Sequence, residues 1–299
     1  MKSSVHTATD LTANDSKNIA IGIQLKHKIG WRFLLWIPFL FVLGIQLLPI
    51  WIIALTSFKT PMALLDDGGA LNLQGLFLGN YERVLFEDNL WQYIKTSLVI
   101  AFASTFLSVF TGALAAYPLA RYRFPGRKVM TLGILCSRMV PPVALALPAF
   151  LLLRTFGAVD HYWGLILAHT TFNLPFAIWL LIPFFQLLPK DFEDAAVMDG
   201  LSTWQTFRLI FLPLALPGII VSSIFCFLMS WNDFLYSLIL AGSETRTAPL
   251  AINAYMTSDQ IEWGAMTASS MLVLIPVFVL CKYLQNHLVN GLTSGGVKG

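Results

Sequence analysis

Long runs without a single Asp, Glu, Lys or Arg constrain this chain more than any other feature. Five of them cover 33–58, 96–120, 161–189, 209–232 and 263–281, and a sixth, 129–153, is interrupted only by Arg138. A helix crossing the hydrocarbon of a bilayer needs about 20 mostly apolar residues, so each run predicts one span. The six together predict an all-α polytopic membrane protein. Composition agrees: with 57% hydrophobic and 12% charged residues, a soluble surface could not be covered, and disordered, coiled-coil and disulfide-scaffold classes are excluded. The first run is longer than the roughly 7–15 apolar residues of a signal peptide and is expected to stay as a span. Cys136, Cys226 and Cys281 each lie in or at the end of an apolar run and read as small hydrophobes, and Met139, Met198 and Met229 as packing residues. The net charge of +3 gives no ground for a nucleic-acid partner.

Lys and Arg in alternate connections set the orientation, because cytoplasmic loops are enriched in them. Thirteen fall on the side of the termini, among them Arg121, Arg123, Arg127, Lys128, Lys190 and Arg208, against five on the other: Lys59, Arg83, Lys95, Arg154 and Arg246. Both termini are therefore expected in the cytoplasm. The division that follows is a segment 1–32, a transmembrane domain 33–288 with a cytoplasmic loop at 189–213, and a tail 289–299. The outer stretch NYERVLFEDNLWQYIK suits a helix lying at the membrane interface, with a solvated loop as the alternative.

The loop PKDFEDAAVMDGLSTWQTFRLIFLP reads as two short helices. Asp191 can cap the first, and Asp191, Glu193 and Asp194 put negative charge where the helix dipole is positive. Gly200 supplies a left-handed stop. Ser202 followed by Gln205 fits a capping box opening the second. An acidic start, the slim Ala195–Ala196 flank and a fixed end suit a helix that enters a socket on another protein; an ordinary helical hairpin is the plainer alternative.

The pattern Asp194-Ala195-Ala196, three residues, Gly200, nine residues, Ile210, one residue, Leu212-Pro213 resembles the EAA loop of ABC-importer permeases. The one departure is Asp194 where the family has Glu, with Glu193 beside it. TSFKT at 56–60, NYERV at 80–84, AAYPLARYRFPGRK at 115–128, MVPP at 139–142, SWNDF at 230–234 and the terminal GLTSGGVKG are similar to the carbohydrate-uptake branch, specifically its MalG-like permeases. The resemblance implies the type I importer (MetI-like) fold in a prokaryotic inner membrane. It implies an ATPase-coupling helix made by Glu193, Asp194, Ala195, Ala196, Asp199, Gly200, Ile210, Leu212 and Pro213. A tail reaching the ATPase subunits through Gly291, Leu292, Thr293 and Lys298 is implied too. Its partners would be a second homologous permease, two ATP-binding subunits that carry ATP and Mg, and an extracytoplasmic solute-binding protein delivering a carbohydrate or polyol.

The chain has no phosphate loop, no metal-ligand spacing among its five histidines and no nucleophile with a base, so no cofactor and no catalytic activity are expected in it. Polar residues in spans are costly and ask for a reason. Arg138 either lines a pathway or pairs with a neighbouring helix or with carbonyls loosened by Pro141-Pro142. His169, Thr170, Thr171 and Asn173 serve either sugar hydroxyls or interhelical hydrogen bonds. Trp231, Asn232 and Asp233 offer a stacking face and two hydrogen-bonding groups to a polyol, or else simply end a helix at the interface. An ion-gradient-driven secondary transporter is the rival class, and it would need ion-coupling groups within the membrane beyond Arg138 and Asp233.

Overall fold

The structure is a computed structural model that describes residues 36–65, 76–258 and 260–294, with side chains through Tyr283. Among the described residues, four helices are long and apolar enough to cross a membrane: α1 (Trp36–Ser57), α2 (Leu90–Arg121), α5 (Tyr162–Leu187) and α11 (Trp263–Ser294). Two further spans are broken. The run at 129–153 is expected as one helix, but it forms α3 (Arg127–Ser137) and α4 (Pro142–Thr155), bent by 94°. Proline explains the break: Pro142 pushes its predecessor into extended backbone, and Pro141 sits at ψ 130°. The fifth span bends by 74° between α7 (Thr203–Leu214) and α8 (Leu216–Trp231), where Pro213 and Pro217 flank Ala215. The 189–213 loop contributes α6 (Asp191–Met198). Two short helices, α9 (Leu235–Leu240) and α10 (Ala248–Asn253), cover the opposite end.

The spine of the bundle is α2 against α5. Ser104, Ser108, Gly112 and Ala116 recur every four residues along one face of α2, and all are buried. Small residues at this spacing let two helices approach closely where no hydrophobic force separates protein from lipid. At Gly112 a β-carbon would come within 3.0 Å of the Ala177 Cβ on α5. The helices run in the same direction: Thr96 near the start of α2 meets Tyr162 at the start of α5, and Arg121 at the end of α2 reaches the Phe185 carbonyl near the end of α5. α8 packs on both, with Gly218 against the Phe184 ring.

The stretch expected to lie along the interface is not a single helix. Residues 79–87 make a short helical segment that ends at Asn89 (φ 55°), and LWQYIK forms the first turns of α2. The expected start of that span at 96 therefore moves back to Leu90, because Lys95 is exposed on the helix rather than preceding it. Two motifs meet here. The Asn80 amide donates to the carbonyls of Ser57 and Lys59 at 3.0 and 2.8 Å, so NYERV is bound to TSFKT.

Asp160 fixes the same end. It takes a left-handed conformation (φ 58°) and its carboxylate accepts from the backbone amides of Gly242, Glu244 and Thr245 and from the Thr245 hydroxyl. Burial alone would raise its pKa, but the Thr245 hydroxyl and the three amides outweigh that and hold it below the usual aspartate value. Within the tail, α11 continues through Gly291, Leu292 and Thr293, whereas Lys298 lies outside the described residues.

Candidate functional site: the 189–213 loop and the cavity behind the bent span

The loop takes the form its sequence predicts, with one shift. Lys190, not Asp191, is the residue preceding α6, and it caps without a side-chain bond. Lys190 already has helical dihedrals, so its carbonyl receives the amides of Glu193 and Asp194 and the helix begins one residue before an Asp191 cap would allow. The three acidic residues still occupy the first turn. At the other end Gly200 has φ 73°, the Leu201 amide reaches back to the Ala196 carbonyl and the Gly200 amide to Val197. These are the two bonds of a Schellman stop. Ser202 and Gln205 then exchange both bonds of a capping box.

Ala196 is the buried anchor of α6, while Asp194, Ala195, Val197, Asp199 and Gly200 are exposed. Met198 is 87% exposed, and Met139 is 77% exposed on the α3–α4 break, so neither packs within this chain as expected. Their apolar surface is presented outward. Ile210 and Leu212 sit against the core cluster around Tyr117, Phe185 and Phe211, and Pro213 lies just before the 74° bend.

Glu193 and Asp194 divide the work. The Glu193 carboxylate accepts from Arg121 Nε at 2.7 Å, and Asp194 faces outward. Arg121, whose side chain is only 5% exposed, also donates through Nη1 to the carbonyls of Leu188 (2.7 Å) and Phe185 (3.3 Å) at the end of α5. It further stacks over Phe211 at 4.9 Å. Helix-terminal carbonyls lack intrahelical partners and carry the negative end of the dipole, so a planar, multiply donating cation belongs there. In sequence Arg121 stands as a cytoplasmic charge within AAYPLARYRFPGRK, and its place at the end of a 25-residue apolar run is the one signal of its second role.

A second feature opens behind the broken span: a cavity of about 580 Å³, within the range of small-molecule sites. Arg138, Asn232 and Asp233 line it together with Thr171, Phe172 and Tyr236. The Arg138 guanidinium lies 4.3 Å over the Phe176 ring. Asn232 ends α8, and Asp233 accepts from the Ser237 amide at the start of α9, so both residues break a helix and face the cavity at once. The other candidates lie elsewhere. His169 is buried behind Asp233, with Nδ1 2.6 Å from Ser230 Oγ and Nε2 3.3 Å from Asp233 Oδ2. The Ser104 hydroxyl on α2 donates to the same Ser230, so this network ties α2, α5 and α8. The Asn173 amide donates to the Cys226 carbonyl. Thr170 and Thr171 bond back to their own helix, and of the two Thr171 lines the cavity. Trp231 is stacked on Phe227 in a core with Leu90, Ile94 and Ala248, away from the cavity.

A bundle of long apolar helices with two bent pairs and an exposed, tightly capped loop helix is the architecture of a polytopic membrane protein, and the relatives of this chain are membrane permeases. Residues 108–294 match the family described as binding-protein-dependent transport system inner membrane component, and the chain belongs to that family. It is 38% identical to the trehalose transport system permease protein SugB of Mycobacterium tuberculosis over 86% of this chain and 94% of that one. It is 31% identical to the trehalose/maltose transport system permease protein MalG of Thermococcus litoralis over 92% of this chain and all of the other. In structure it resembles a chain of a bacterial ABC transporter involved in import of the acidic polysaccharide alginate, with TM-score 0.72 and 21% identity over 86% of this chain and 95% of that one, a likeness of fold.

Proposed function

We propose that this protein is the MalG-like half of a translocation pathway in an ATP-driven importer for a carbohydrate or polyol. The observation that carries the reading is α6: an acidic-headed helix anchored at the buried Ala196, whose residues from Asp194 to Gly200 follow the EAA pattern apart from Asp in place of Glu at 194, and whose two ends are held by the Glu193–Arg121 pair and the Gly200 stop. A helix so held moves as a rigid body when a partner grips it. Two ATP-binding subunits would supply ATP and Mg, a second homologous permease the other half of the path, and a solute-binding protein the cargo. The loop at 189–213, the tail from Gly291 and both termini face the cytoplasm in this reading, in line with the Lys and Arg distribution. Nucleotide-driven closure of the ATPase pair would displace α6 and switch the pathway between inward and outward access. Arg138, Asn232 and Asp233 are its pathway residues in this chain, whereas His169, Asn173 and Trp231 act by helix packing.

The test is co-purification of the chain with the products of its neighbouring genes in mild detergent, followed by uptake in proteoliposomes with trehalose and maltose as first probes. Recovery of an ATPase and a second permease, with uptake that needs ATP, is the expected result. A chain that purifies alone and moves solute on a proton or sodium gradient overturns the reading.

A further inference from the structure

We infer that Arg121 is the positioning residue that makes α2 move with the coupling helix; the inference rests on the function proposed above. The chain itself joins α6 to α5 through Leu188–Lys190 and to α7 through Gly200–Ser202. No connection joins it directly to α2, whose last residue, Arg121, lies 72 residues before Glu193 in sequence. Among the described residues, Glu193 is the one α6 side chain that makes an ion pair or hydrogen bond to another helix, and its partner is Arg121. The same guanidinium binds the last carbonyls of α5 and covers Phe211 of α7. One buried cation thus gathers four elements, and α2 is the spine on which α5 and α8 pack.

The chemistry suits transmission rather than stability alone. A lysine would keep the charge but could not serve Glu193 and two backbone carbonyls in fixed directions, because the ammonium is a point donor on a flexible stem. Glu193 is 24% exposed beside the exposed Asp194, so it lies at the edge of the surface offered to the ATPase and Arg121 lies directly beneath. The family pattern has Glu where this chain has Asp194. The Glu193–Arg121 pair is separate from that position, and it leaves Asp194 free to meet a partner.

The experiment uses the assembled transporter, with the three native cysteines replaced and spin labels at two exposed positions, Phe102→Cys on α2 and Met198→Cys on α6. In the otherwise unaltered complex the distance between the labels is expected to stay narrow and unchanged on adding ATP and Mg, because the helices travel together. In Arg121→Lys and Glu193→Gln it is expected to broaden or shift on nucleotide addition. Stimulation of ATP hydrolysis by the cargo-loaded binding protein should fall about five- to tenfold, the scale of an ordinary coupling free energy. Glu193→Gln leaves the carbonyl bonds of Arg121 in place, so it decides the matter if Arg121→Lys fails to assemble. An unchanged distance with undiminished stimulation in Glu193→Gln overturns the role of Arg121. Failure of the unaltered chain to bind any ATPase overturns instead the function on which it rests.

Discussion

At the end of the bundle where α1 finishes and α2, α5 and α11 begin, polar side chains tie remote parts of the chain together: Asn80 to the carbonyls of Ser57 and Lys59, Asp160 to the amides of Gly242, Glu244 and Thr245, Ser97 to the Ala248 amide, and Arg83 to the Glu262 carboxylate. At the 189–213 end one guanidinium carries the polar connections beside the packing of Phe207 and Phe211 on Tyr117, and α6 is largely exposed apart from Ala196 and the half-buried Glu193. The first arrangement resists displacement at many points; in the function proposed above, the second would let a rigid helix be pushed, with Arg121 as its polar link to α2. Variants at the two ends should therefore fail differently. Those at the first lose stability with coupling intact in whatever folds, and those at the second lose coupling with stability largely kept.

The largest effect is expected at Asp160. Asp160→Ala removes the acceptor from three amides and a hydroxyl at once, and a cost of about 2–3 kcal/mol follows for bonds to a charged group. A lower melting temperature and yield, with normal ATP-coupled uptake by the surviving protein, is the expected pattern. The carboxyl has a folded pKa below its unfolded one, so its contribution is complete above about pH 4 and is lost as pH falls through the lowered folded value. Amide exchange at Gly242 and Thr245 should follow that course in the native chain and be fast at every pH in Asp160→Ala. Equal protection in both would remove Asp160 from the comparison.

How much of this was legible in sequence differs between the ends in the same way. Capping, turn and charge rules act over three to five residues, so α6, the Gly200 stop and the Ser202–Gln205 box could be read from a short string. Six apolar runs could be counted for the same reason, though not that 129–153 bends by 94°, since Pro141-Pro142 announces a break without its angle. Asn80, Arg121 and Asp160 act across 21 to 85 residues, and a single sequence holds no record of such pairings. Cavity membership was legible only in part. Asp233 and His169 share one network, yet a face of α5 points His169 inward, and no periodicity in an all-apolar helix distinguishes inside from lipid.

Next in size is Gly200→Val. A β-branched residue at φ 73° costs about 1–2 kcal/mol, and it is the loop that bears this cost, since no neighbouring atom lies within 4 Å of a β-carbon there. The expected result is an assembled complex whose melting temperature barely moves and whose uptake per ATP drops sharply. Normal uptake with the ATPase bound would show that the end of α6 need not be fixed, and would weaken the contrast between the ends.

The smallest effect is expected at Ser202, and it sharpens the comparison most finely. Ser202→Ala removes the side-chain acceptor for the Gln205 amide, worth about 1 kcal/mol, but leaves the Ser202 amide bonded to the Gln205 side chain at 2.8 Å. Half of the box survives. Because Ser202 is exposed, water can take the freed amide, so global stability should change little. What should change is the angle at which the chain leaves Gly200 for α7. If α6 transmits force as a rigid body through both of its ends, Ser202→Ala lowers uptake per ATP measurably and Gln205→Ala, which removes the other bond, does so to a similar degree. If both variants transport as the native chain does, the connection through α7 is dispensable, and transmission falls on α5 and on Arg121.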